Sequence, residues 1–215
     1  MTKATVGVAT AVMALMMSAY SAGAYAQLGS LGKLGGAKSE SSDAKSEAPS
    51  ASEVEAGLRI VVEQTSSGQA KLARALGLTQ DADKLKQNAE CTKAKTCSLA
   101  DSVGVTQGAN DTLTKAMKDQ QAAGTKLSAD SSKTALSAIE EVIGTIVGWQ
   151  TTAKGAQGLL DQGAMAMMKL GDLGKAVPKV PGALKGTGSF AKDGIAFLTY
   201  NGVDTKALSN KMPKM

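Results

Sequence analysis

Beyond residue 52 the apolar positions recur at three- and four-residue spacing, and this pattern predicts a chain of helices. Val54, Leu58, Val61 or Val62, Leu72 and Leu76 fall on one stripe, with Ser52 and Glu55 as a capping box and Pro49 just upstream. The spacing predicts a first helix over about 54–76. Thr65-Ser66-Ser67-Gly68 in its middle is poor helix material and predicts a kink or break. A shorter helix follows, capped by Thr79, with Leu78, Ala82, Leu85 and Ala89 on one side. From Thr106 a third stretch sets Ala109, Leu113, Ala116, Met117 and Gln120 on one face and ends near Gly124.

The strongest periodicity follows Asp130. Ala135, Ile139, Val142, Ile146 and Trp149 recur at steps of four, three, four and three, marking the spine of the core. This helix either continues through Leu159 and Leu160 towards Met167 and Met168 or breaks at Gly155, Gly158 or Gly163. Gly144 and Gly148 on it form a G-x-x-x-G pair, read as a packing device. Beyond Gly171, the residues Gly174, Pro178, Pro181, Gly182, Gly186 and Gly188 predict a loop wrapping the bundle. Phe190 to Tyr200 reads as a short helix, although Ile195 to Tyr200 also has strand character. Ala207 and Leu208 predict a last helical turn before a basic tail, 211–215. The fold class is therefore all-α: an irregular bundle of about five or six helices, spanning 53–210 as a single domain, with a Gly/Pro-broken C-terminal connection.

The first 52 residues have a different pattern. Lys3 precedes an uncharged apolar run from Val6 to Met17, and Ala24-Tyr25-Ala26 stands before Gln27. A cationic start, a short apolar run and Ala-x-Ala predict a cleavable signal peptide over 1–26. Residues 27–52, rich in Ser, Ala, Gly, Lys and Glu, predict a disordered leader, because they offer too little apolar surface to offset ordering. Leu28, Leu31 and Leu34 are its only docking candidates. No later stretch has the length and apolarity of a membrane span, since Glu140 and Glu141 interrupt the most apolar one. The expected destination is the periplasm, or beyond it the outside of the cell.

Composition narrows the chemistry. The 215 residues contain no histidine, which removes Ser-His-Asp and Cys-His catalysis, His-ligated zinc and the usual near-neutral base. Carboxylate or lysine chemistry stays open. No cofactor is expected: the glycines form no phosphate-binding loop, and the aspartates Asp101, Asp111, Asp130 and Asp204 form no calcium loop. Charge is uneven. Residues 27–153 carry net −1, whereas 154–215 hold nine lysines against four aspartates, net +5. Lys169, Lys175, Lys179 and Lys185 are the candidates to face an anionic partner, with a solvated lysine face as the plainer reading. Nucleic acid is not expected, for want of aromatics among the basic residues.

Cys91 and Cys97, the only cysteines, predict a disulfide in an oxidising compartment. Continuous helix would hold their Cα atoms about 9 Å apart along the axis, so the helix must break between them. Such a staple stabilises by roughly 2 kcal/mol by restricting the unfolded chain. Trp149 reads as core or the edge of a groove, and Met165, Met167 and Met168 as adaptable apolar surface or gap-fillers.

Three functional expectations follow. The first is a non-enzymatic envelope protein that binds another protein, or itself, as a scaffold. The second is a carrier of amphiphiles, with an apolar groove at Trp149, Met165, Met167 and Met168. The third is an enzyme using carboxylates or lysine. A continuous pocket would favour the carrier, and a solid core with an exposed apolar patch would favour protein contact.

Overall fold

A computed structural model describes residues 49–214; the signal peptide expected over 1–26, and the expected leader up to residue 48, lie outside the described residues. The elements are α1 (Ala51–Ala75), α2 (Thr79–Ala94), α3 (Leu99–Ala122), α4 (Ala129–Leu160), α5 (Ala164–Lys169), α6 (Asp172–Ala176), a 3-10 turn (Val177–Lys179), α7 (Val180–Tyr200) and α8 (Lys206–Lys211). The described residues contain no strand, and the bundle is all-α. The strand alternative for Ile195 to Tyr200 is thereby overturned.

α1 begins earlier than the pattern suggested. Its capping box is Ser50 with Glu53: the Ser50 hydroxyl accepts the Glu53 N–H at 3.3 Å, and the Glu53 carboxylate accepts the Ser50 N–H at 2.8 Å. Starting there leaves Glu55 free to accept from Arg59 one turn on, at 2.9 Å, which a cap at Ser52 would have prevented. The expected break at Thr65–Gly68 is absent. Gly68 sits against α4, where a Cβ would lie 2.9 Å from Val142 Cγ2 and 3.1 Å from the Ala138 carbonyl. The weak helix formers are contact residues, and packing overrides their propensity.

α3 begins at Leu99, seven residues before the expected start. Ser98 caps it by accepting the Asp101 N–H, and Leu99, Ala100 and Val103 are buried. α4 runs unbroken through Gly155, which lies against Val54 and Pro49. The break comes afterwards. Gly163 (φ +89°) and Gly171 (φ +56°) adopt backbone conformations that a side chain would strain, and they flank α5.

The broken connection is therefore 161–179, lying earlier in the chain than the loop expected beyond Gly171. From Val180 the chain is a single helix to Tyr200, with Pro181 in its first turn, where no intrahelical N–H is required. The glycines that suggested a loop are instead the places where α7 meets its neighbours. Cβ atoms at Gly182 and Gly186 would stand 3.0 Å from Gln107 Nε2 and 3.2 Å from Asn110 Nδ2 on α3, and one at Gly194 would collide with Ile139 on α4. The close-approach G-x-x-x-G pair is thus Gly182–Gly186. Gly144, of the pair read from sequence, faces open space.

Two apolar cores result. One gathers Leu72, Leu113, Ile139, Ile146, Phe190 and Phe197. The other gathers Leu58, Val62, Leu99, Trp149, Val177 and Val180. Between them along α1, α3 and α4 lies a belt of buried polar side chains, including Thr65, Ser66, Gln69, Thr106, Asn110 and Thr145. Ser66 Oγ stands 3.1 Å from Thr106 Oγ1, and Gln69 Nε2 donates to the Thr106 carbonyl at 3.0 Å and to Asn110 Oδ1 at 2.8 Å. The basic tail is not free: Lys211 pairs with Glu140, and the Lys214 carbonyl accepts from Gln150 at 2.9 Å.

Candidate functional site

Trp149 is fully buried. Its indole N–H donates to Thr65 Oγ1 at 2.9 Å, and that hydroxyl donates in turn to the Val61 carbonyl at 2.6 Å. The indole is held within the second core and borders no opening. Met167 packs at the edge of that core, whereas Met165 and Met168 are each 73% exposed. These four residues do not come together as a groove: the spacing of α5 turns two methionines outward, and the Trp149 stripe turns inward.

The lysines separate in the same way. Lys169, Lys175 and Lys185 are exposed. Lys179 turns inward, its Nζ donating to the Ala100 carbonyl at 2.8 Å while its own carbonyl accepts from Gln107 at 3.2 Å; it ties the 3-10 turn to α3. Cys91 and Cys97 stand at disulfide distance, with Cα atoms 5.4 Å apart. The helix breaks between them as expected, α2 ending at Ala94 and Lys95 taking a left-handed conformation (φ 58°).

A feature the sequence pattern did not reveal is the clasp at the start of α3. Asp172 of α6 accepts the Ser98 hydroxyl at 2.7 Å and the backbone N–H groups of Leu99 and Ala100. Partial burial pushes the Asp172 carboxyl up, but these hydrogen bonds and the nearby Arg59 charge outweigh it and hold the group below the ordinary aspartate range. A carboxylate at a helix N-terminus also meets the positive end of the helix dipole. Glu63 shifts the other way. Burial raises it, with Glu141 adding to the rise and Lys93 opposing it.

The concave feature of interest lies between α2 and α3. Leu85 and Leu113 are buried at its floor beside Ala109, Val105 is 42% exposed, and Asp81, Lys84 and Thr112 supply polar edges. Gly108 opens it, because nothing lies within 4 Å of where its Cβ would be. The volume is about 180 Å³, below the roughly 300–1,000 Å³ usual for small-molecule sites and suited to an apolar side chain of a partner. Val105, Gly108 and Thr112 at steps of three and four share one face, a signal present in the sequence. How α2 would sit beside that face was not.

No group of three or more Cys, Asp or Glu side chains among the described residues could hold a metal ion. No described helix is long and apolar enough to cross a membrane.

No family model, curated protein or solved structure matches this chain.

The local geometry is therefore the basis for any functional reading. Among the described residues it includes a shallow apolar hollow with a polar rim and an outward-facing pair of methionines.

Proposed function

We propose that this chain is an exported, non-enzymatic protein of the bacterial cell envelope that acts by binding another protein, with the α2–α3 depression receiving an apolar side chain of the partner. The observation that carries this reading is the depression itself: a buried leucine floor, an exposed Val105 and an opening made by a glycine in mid-helix. Export is supported by the signal-like start of the sequence and by a cysteine pair suited to an oxidising compartment. Binding energy in protein interfaces concentrates at anchor side chains seated in pockets that the partner seals from water.

Gly108→Leu tests the reading. The new side chain enters open space and fills the hollow, while replacing glycine by leucine within α3 should raise helix stability by about 0.8 kcal/mol. Native mass spectrometry of protein purified gently from its host should show a retained protein partner or second copy. The Gly108→Leu variant, equally or more stable to urea, should lose that mass. A bare parent protein, a retained lipid-sized mass alone, or a partner unaffected by the substitution would overturn the proposal.

A further inference from the structure

We infer that the α5–α6 knuckle, residues 163–176, is a contact surface for an anionic lipid bilayer, separate from the α2–α3 depression. α5 buries none of its six residues. Met165 and Met168, at i and i+3, share one helix face, and both are 73% exposed. Lys169 lies at i+4 from Met165 on that same face and is exposed, as is Lys175 on the adjoining α6. Gly174 packs directly on the Met167 carbonyl and so holds α6 against the end of α5.

Charge points to the occupant. Lys169 and Lys175 make no ion pair among the described residues, and the knuckle's carboxylate, Asp172, is turned away onto the α3 amides. Asp161, at the end of α4, accepts from Gln157. The outward surface is thus apolar at the tip and cationic at its flank.

A protein interface requires about 1,000 Å² or more of complementary surface, which a protruding six-residue helix does not provide. A bilayer imposes no such shape: unbranched methionine side chains enter the acyl boundary, and lysine stems lie along it with their ammonium groups at the phosphates. Each lysine near an anionic membrane surface strengthens partitioning about fivefold.

The test places a reporter at the tip. Met168→Trp in the full chain adds an exposed indole to a chain whose other tryptophan, Trp149, is buried and has its emission subtracted using the parent protein. Vesicles containing phosphatidylglycerol should shift the new emission to the blue, and bromine-labelled acyl chains should quench it. Lys169→Glu with Lys175→Glu in the same background should raise the lipid concentration for half-maximal response at least tenfold, with unchanged far-UV circular dichroism. Because the readout is local, it reports the knuckle even if the apolar stretch before residue 18 also meets lipid. The inference is overturned by an indole that does not respond to anionic vesicles, by an equal response to neutral phosphatidylcholine vesicles, or by insensitivity to the lysine reversals. A response only to an acidic amphipathic peptide would overturn it in favour of a protein partner.

Discussion

At the scale of single residues, the positions least suited to a helix by propensity turn out to set the close approaches. Gly194 lies where α7 presses on Ile139, so that a Cβ there would collide with the isoleucine's Cδ1. Gly194→Ala should destabilise by about 1–3 kcal/mol through overpacking, despite alanine's better helix propensity. Ile139→Val removes the obstructing methyl and alone should cost about 0.5–1.5 kcal/mol. Combined, the two should cost clearly less than their sum in urea denaturation, because the valine relieves the alanine's clash and the alanine methyl fills the space left by Cδ1. Additive costs would mean that the backbone shifts to accommodate the alanine. Trp149 was legible from its place in the period as a residue of core or groove edge. The choice between the two required knowing that Thr65, 84 positions away, would accept its N–H.

At the scale of elements, the end of one helix depends on a side chain from a distant one. Asp172 completes the cap of α3 and ties α6 to it, across more than 70 residues of sequence. Its carboxyl titrates below the ordinary aspartate value in the folded protein. The stabilisation is therefore present above the unfolded-state pKa, near 3.8, and is lost as pH falls through the lower folded value. Asp172→Asn should cost about 1 kcal/mol at neutral pH and flatten the acid limb of stability against pH. Chemical denaturation at a series of pH values checks this, and an unchanged acid limb would show that the clasp contributes nothing. The earlier start of α3 belongs to the same element. Its first two turns bury only Leu99, Ala100, Ser102 and Val103 before the stripe from Thr106, too short an apolar signal to mark a helix start.

At the scale of the whole molecule, two apolar cores are separated by a layer of buried hydroxyls and amides that must find partners on other helices. Gln69 joins α1 to α3 through the Thr106 carbonyl and the Asn110 amide. Gln69 Oε1 and Asn110 Nδ2 are themselves buried without a hydrogen bond among the described residues. Replacing Gln69 alone by Leu should cost about 1–3 kcal/mol by leaving Asn110 unpaired, and Asn110→Leu should behave alike. The double variant should lie closer to the parent than the sum of the singles, since both polar partners leave together. A double-mutant cycle by urea denaturation decides this; strict additivity would mean that the two amides act independently.

The sequence by itself determined the class of fold, the spine helix α4, the need for a helix break between Cys91 and Cys97, and the place of Trp149 on the apolar stripe of the spine helix. Each follows from local rules: a 3.6-residue period, the reach of a disulfide, and a composition short of the aromatic residues that strands favour. Only the tertiary structure decided that Thr65–Gly68 stays helical, that α7 extends back to Val180, that Lys179 turns inward and that Met165 and Met168 turn out. Those outcomes depend on what lies across the interface. A glycine reads as a breaker until another helix fills the space beside it, and a serine or threonine reads as a turn residue until a distant side chain satisfies its hydroxyl. The depression between α2 and α3 has the same origin, since Gly108 leaves a hollow only once Leu85 has been brought alongside it.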